Sequence, residues 1–245
     1  MSGDGRPAGA PAPRVRSRSG GYAKGEASRQ RLLEVALAEF GRQGFQATTT
    51  RQIAQAAGVT LPAIAYHFGH KEGLYLACAD EVARRYRLRL GEVADATARA
   101  LRARPAPDAE LARSQLKRLV DALAQMLVGS NEAALWSGFV QAELGQPGPA
   151  FDALFQRLWS PGIELAAALI ARVQGRASAA ADDRLRALML IAGLGAFHHG
   201  RPVALRTLGW AEIGAAQLDQ VLALLHRQID EIPAPAPRRR ASGPA

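Results

Sequence analysis

The chain has 245 residues, a formal net charge of +9, 48 % hydrophobic and 6 % aromatic residues, and a single cysteine. That length can bury a sizeable core in one or two domains, and the hydrophobic share excludes a wholly disordered chain. No uncharged apolar run reaches the roughly 18 residues of a membrane span. The N-terminus has arginines but lacks a signal peptide's apolar stretch, and Cys78 alone forms no intrachain disulfide, which suits a reducing cytoplasm.

Residues 1–26 are rich in Gly, Pro, Ala, Ser and Arg and are expected to stay disordered, either as a basic arm on DNA or as a flexible leader. Seven of the nine excess charges lie in residues 1–25 and in Arg238, Arg239 and Arg240, so overall basicity does not itself mark a nucleic-acid face. The first helix is predicted from about Ser28 to Arg42, with Leu32, Leu33, Ala36, Leu37 and Phe40 as its apolar stripe and Gly44 just past its end.

A short helix follows at about 51–57. Thr49 and Gln52 have capping-box spacing, and Ile53, Ala54 and Ala57 form a narrow apolar stripe. Gly58 supplies the left-handed turn residue, Val59 a buried spacer, Thr60 the next N-cap and Pro62 a first-turn proline. The next helix carries Ala63, Ile64, Tyr66, His67 and Phe68. The pattern is helix-turn-helix, although an ordinary helical hairpin in a core has the same pattern. Its second helix begins with the small edge Leu61, Pro62 and Ala63, followed by Tyr66 and His67. A bare edge lets a helix enter a major groove about 12 Å wide.

A fourth helix should start near Lys71 and run to about Val93 or beyond, a natural lever between the head and the rest. After a Pro-rich loop at 102–108, a helix is predicted at 109–128 with Leu111, Leu116, Leu119, Leu123, Met126 and Leu127 on its apolar side. Asn131 is the expected cap of a helix over 132–144 that carries Trp136, Phe139 and Val140. Beyond a turn at 145–149, residues 150–159 are helical, and Ser160–Pro161 marks either a fresh helix or a kink leading to Val173. A helix from Asp182 or Asp183 to about His199 and a last one from about Trp210 to Ile232 are apolar enough to suggest a surface buried by a second subunit. The tail 233–245 is expected to be disordered.

His198 and His199 are neighbours, about 100° apart on a helix, and so do not readily face one metal. No His pair at i, i+4 and no Cys cluster occurs, so no metal or cofactor is expected. No nucleophile elbow or phosphate loop is present, and the chain does not read as an enzyme. Trp136, Phe139, Phe155 and Trp159 are either core or the lining of a small-molecule cavity between helices, and His198 or Arg201 can offer a ligand a hydrogen bond.

The helix Arg29–Gln43, then TTTRQIAQAAGV and AIAYHFGHKEGLY, resembles the DNA-binding domain of the tetracycline-repressor (TetR) family of bacterial regulators over about residues 28–76. The resemblance implies that Thr50 and Arg51 approach the DNA, that Thr60, Leu61, Ala63, Tyr66 and His67 face the groove, and that Lys71 meets a phosphate. Two positions depart from the family pattern: Ala65 stands where a larger residue is common, and Gly73 where a glutamate helps cap the next helix. The run FDALFQRLWSPGIELAAALIARV, then DRLRALMLIAGLGAFHHGR and LGW, is similar to the C-terminal domain of the CecR-like subgroup. The family implies dimerisation through two C-terminal helices of each chain.

The expectation is therefore an all-α protein. A disordered leader at 1–26 precedes a three-helix helix-turn-helix domain at 27–76, a helical ligand-binding and dimerisation domain at 77–232, and a basic tail at 233–245. It would act in the cytoplasm as a ligand-released homodimeric repressor on a pseudo-palindromic operator, with an unknown small-molecule effector and no membrane association. A ligand-binding enzyme or carrier with a vestigial head, or a non-specific nucleoid-type DNA binder, are the alternatives.

Overall fold

The computed structural model describes residues 18–129 and 134–234. Within these the chain is helical, and no strand occurs among the described residues. α1 (Arg18–Ala47), α2 (Thr50–Ala56), α3 (Leu61–Phe68) and the long α4 (Lys71–Arg102) come first. α5 (Ala109–Leu127), α6 (Ala134–Gly145) and α7 (Phe151–Leu154) follow, and α7 runs through a π-helical turn (Phe155–Trp159) into α8 (Ser160–Val173). α9 (Ala181–His198), α10 (Arg201–Leu208) and α11 (Ala215–Asp230) complete the fold.

α1 begins ten residues before the expected Ser28, so residues 18–26 are helical rather than part of an unstructured leader; only 1–17 of that leader lie outside the described residues. Its regular path breaks at Gly44, which has φ 75° and ψ 172°. The fully buried Thr48 secures the bend by donating to the Gly44 carbonyl at 2.8 Å. α2 starts on the expected capping box. The Thr49 hydroxyl accepts from the Gln52 N–H at 3.2 Å, and the Gln52 carboxamide oxygen accepts from the Thr49 N–H at 2.8 Å. Gly58, at φ 65°, turns the chain into α3. Val59 is only partly buried, because it sits at the rim where α2 and α3 meet.

Two apolar clusters make the core. The first joins Leu32, Leu33, Leu37 and Phe40 of α1 to Ile53, Ile64, Leu74, Tyr75, Cys78 and Val82, and it draws in Trp136, Phe139 and Val140 of α6. α6 can lie flat on α1 because Gly41 meets Gly138. A Cβ at Gly41 would stand 2.7 Å from the Phe139 backbone nitrogen. The second cluster packs Leu116, Val120, Ala167, Ile170, Leu190, Leu194, Val221 and Leu225 from α5, α8, α9 and α11. Leu111, expected on the apolar side of α5, is 46 % exposed, while its neighbour Ala112, fully buried, takes the inward position in that turn.

Ser160–Pro161 does not begin a fresh helix. The Ser160 N–H bonds back five residues to the Phe155 carbonyl, and the wide turn absorbs a proline that brings no N–H of its own. α10 was not expected. Pro202 in its first turn and Gly209 at φ 67° bound it, and the last helix consequently starts at Ala215 rather than near Trp210. α5 clasps α11 with polar groups. Arg113 donates to the Ile229 and Ile232 carbonyls, Lys117 meets Asp230 at 2.7 Å, and His226 meets Asp121 at 2.6 Å. The expected cap Asn131 and the tail from residue 235 lie outside the described residues.

Candidate functional site: a recognition head and an apolar cavity

The head presents α3 with one face buried and one bare. Ile64 is 2 % exposed and anchors the helix on the first cluster, while Leu61 is 44 % and Tyr66 85 % exposed. Thr60 occupies the N-cap position, yet its hydroxyl makes no capping bond. An exposed, uncommitted hydroxyl therefore stands at the leading end of the helix, beside exposed Leu61 and Pro62. Arg51 is exposed on α2, and Thr50 and His67 are half-buried. Ala63 is half-buried against the first cluster, so part of its surface belongs to the core; Ala65, not singled out as a contact, is the more exposed alanine.

Lys71 sits at the same end of the head. Its Nζ donates to the Gln46 carbonyl at 3.3 Å and lies 4.4 Å from the Phe45 ring centroid, which holds the cation near the end of α1. The start of α4 is built differently from the sequence expectation. His70 is the N-cap, its Nδ1 accepting from the Gly73 N–H at 3.1 Å. A Cβ at Gly73 would stand 2.1 Å from the Phe68 carbonyl oxygen. Gly73 is thus demanded by the close approach of α3 to α4. Nothing in the sequence marked His70 as a cap, because histidine is rarely one.

Below the head, α4 is fastened to the rest of the protein. The buried Tyr75 hydroxyl donates to Glu143 Oε1 at 2.5 Å, and the second oxygen of that carboxylate accepts from the Gly148 N–H at 3.1 Å. Burial and the adjoining carboxylate raise the Tyr75 phenol well above its ordinary range, so it stays a donor. Asp80 pairs with Arg157 of the π turn. Burial alone would raise the Glu81 carboxyl, but the Arg84 and Arg85 guanidiniums hold it at about 2. Arg85 also lies 5.2 Å from the Trp136 ring centroid.

Between α4, α5, the π turn, α8 and α9 lies a cavity of about 430 Å³. Leu116, Leu119, Leu123, Leu127, Leu158 and Ile163 supply much of its wall. Of the five expected ligand residues, Phe155, Trp159 and His198 line it. Trp136 and Phe139 do not. They are 1 % and 0 % exposed in the first cluster, because the close approach of α6 to α1 buries them, Phe139 against Tyr75 and Trp136 against Tyr86 and Arg85. Tyr86, which was not expected, and His199, weighed beside His198 only as a metal ligand, also reach the cavity; a tyrosine on a long polar helix usually reads as surface. Burial raises the Tyr86 phenol to about 12. Burial, then the neighbouring His199 and Arg201, lowers His198 below its ordinary 6.5, and burial lowers His199.

A bare-edged second helix on a helix-turn-helix head, above a helical body with an apolar cavity, defines a DNA-binding transcription regulator. The comparisons give the family. Residues 32–78 match the model for "Bacterial regulatory proteins, tetR family", and residues 112–234 match that for "HTH-type transcriptional dual regulator CecR, C-terminal domain". The transcriptional dual regulator CecR of Shigella flexneri is 33 % identical over 215 residues, covering 85 % of this chain and 92 % of that one. This chain belongs to the tetracycline-repressor family, with a CecR-type C-terminal domain. The RaaS regulator of Mycobacterium tuberculosis matches the head, 49 % identical over 57 residues, 23 % of this chain and 26 % of that one. Among solved folds, a TetR-family regulator of Streptomyces coelicolor superposes with TM-score 0.56 at 17 % identity, over 84 % of this chain and 94 % of that one. FadR of Bacillus subtilis, solved with stearoyl-CoA, superposes with TM-score 0.53 at 16 % identity, over 80 % and 96 %. The relatives named here are transcription regulators, and among the described residues no helix is long and apolar enough to cross a membrane.

Proposed function

We propose that this protein is a ligand-released repressor that binds a pseudo-palindromic operator as a homodimer in the cytoplasm. The observation behind this reading is the bare leading edge of α3, with the Thr60 hydroxyl free at its tip. Arg51, Tyr66 and Lys71 set the register on phosphates, with Thr50 beside them. Thr60, Leu61, Ala63 and His67 meet base edges. The DNA-binding unit is residues 27–76, and the ligand-binding and dimerisation unit is residues 77–232.

Dimerisation uses α9 and α11. Leu185, Leu188 and Met189 on α9 and Leu224 on α11 are large apolar side chains 47–67 % exposed. Together with Ala192, Gly193 and Ala196, the α9 residues follow helical spacing, the mark of a face that a second helix covers. A two-fold dimer then places its half-sites about 34–36 Å apart, or a multiple of that. The effector enters the cavity beside the π turn. It favours a conformer in which α4 holds the two heads at the wrong spacing, and its differential affinity for the two conformers is the switch.

The test is a selection of genomic DNA fragments bound by the purified protein, followed by a reporter driven from the selected site. A palindromic site whose reporter rises when the gene is deleted supports the reading. Retention of fragments without a common sequence, or a reporter that falls on deletion, removes the repressor.

A further inference from the structure

The cavity has one polar end that the apolar wall does not explain. Among the described residues its lining includes no Lys, Arg, Asp or Glu, and its polar side chains are Tyr86, His198 and His199. The two histidines sit side by side where α9 ends, with ring centroids 4.4 Å apart, and both line the cavity. His198, neutral because burial lowers its pKa, keeps one unprotonated ring nitrogen that can accept. His199 Nδ1 lies 2.6 Å from Gln141 Nε2. An amide nitrogen can only donate, so His199 Nδ1 accepts and its proton sits on Nε2. The pole therefore presents one acceptor and one donor on adjacent rings.

A carboxyl group matches that pair. Its carbonyl oxygen accepts from the His199 Nε2–H, and its hydroxyl donates to the free nitrogen of His198. Passing that proton across yields a carboxylate against an imidazolium, a stronger charge-assisted bond, and the net charge of the pair is unchanged. Among the described residues the charged groups around His198 suit an anion. Arg201 lies one turn on, His199 is beside it, Leu127 offers only a carbonyl, and Gln141 is neutral. The C-terminus of α9 and the N-terminus of α10 meet at Gly200, so their opposite end charges offset one another.

We propose that the effector is a weak organic acid, its carboxyl seated at the His198–His199 pole and its hydrocarbon filling the leucine-lined cavity. This rests on the reading that the cavity is the effector site. A neutral amphiphile would leave the His198 nitrogen without gain from proton transfer, and a cationic one would be repelled by the nearby charge of Arg201.

Three probes with one chain and different heads test it: decanoic acid, 1-decanol and decylamine, titrated into the full-length protein by calorimetry and by tryptophan fluorescence, which Trp159 in the cavity wall should report. The acid should bind about tenfold tighter than the alcohol, and the amine weakest. His198→Leu should remove about that tenfold from the acid and leave the alcohol unchanged. If the variant does not fold, the wild type decides alone. At about pH 7.5 decanoate enters ionised, and His198, neutral when the cavity is empty, should take up close to one proton per site, read from calorimetry in buffers of different ionisation heat. Alcohol binding as tightly as acid, an unchanged acid affinity in His198→Leu, or no proton uptake overturns the carboxyl proposal while keeping the cavity. Failure of all three probes to bind removes the effector-site reading itself.

Discussion

At the scale of single residues, the first turn of α4 shows how one atom sets a choice. His70 and Gly73 close the turn together, the imidazole taking the amide of the glycine. Gly73→Ala should lower stability by about 1–3 kcal/mol, because the new methyl collides with the Phe68 carbonyl and neither helix can yield freely. His70→Ala should cost about 1 kcal/mol as a lost cap. Urea unfolding of the two variants checks the order; an unchanged midpoint in Gly73→Ala would mean that α3 and α4 stand further apart. His198 gives a pH prediction. Its folded value lies below 6.5, so the unfolded chain binds the proton first, and stability present at neutral pH is lost as pH falls below 6.5. Glu81, held at about 2 against an ordinary 4.5, adds a loss in the same direction, but only at still lower pH. The urea midpoint should drop between about pH 7.5 and 5.5, and the drop should shrink in His198→Leu. An equal drop in both proteins would assign the effect elsewhere.

At the scale of elements, α3 is divided between core and surface, and tests of DNA binding must respect the division. Ala63→Glu would place a carboxylate partly against the first cluster and confound folding with recognition. Leu61→Glu is cleaner. The side chain is 44 % exposed, so the melting temperature should hold while operator binding is lost to repulsion from DNA phosphates. Retained binding in a gel shift would mean that another face of α3 meets DNA. Lys71→Ala should weaken binding to every sequence and reduce the slope of log affinity against log salt by about one unit. An unchanged slope would show that the contacts to Phe45 and Gln46 are the whole role of this lysine. Much at this scale was legible beforehand. Thr49 and Gln52, Gly58 and Pro62 announce α2 and α3 through local chemistry alone. α10 was not legible, because its eight residues, RPVALRTL, have too short an apolar pattern to show a period.

At the scale of the molecule, the head and body share a core through α6 and are joined by a buried hydrogen bond, Tyr75 to Glu143, which also holds the turn before α7. The π turn, whose Phe155, Leu158 and Trp159 line the cavity, also reaches α4 through the exposed Arg157–Asp80 pair. The proposed dimer is tested at this scale too. Met189 is 67 % exposed and touches little within one chain. Met189→Glu should leave the monomer folded and shift sedimentation from dimer to monomer, with operator affinity falling as the second half-site is lost. A dimer that persists would move the interface away from α9.

The sequence by itself determined the all-α class and the capped turn of the head, because each rests on local spacing: a cap three residues before its partner, a glycine at a left-handed turn, an apolar residue every three or four; the family was legible through the resemblance of whole motifs to known regulators. The tertiary structure alone decided which aromatic residues became core and which became cavity wall. Trp136 and Phe155 look alike along the chain, and a pair of glycines 97 positions apart, Gly41 and Gly138, draws α6 onto α1 and so buries the first while leaving the second at the cavity. Such a contact depends on two backbones meeting, and no periodicity within either helix records it.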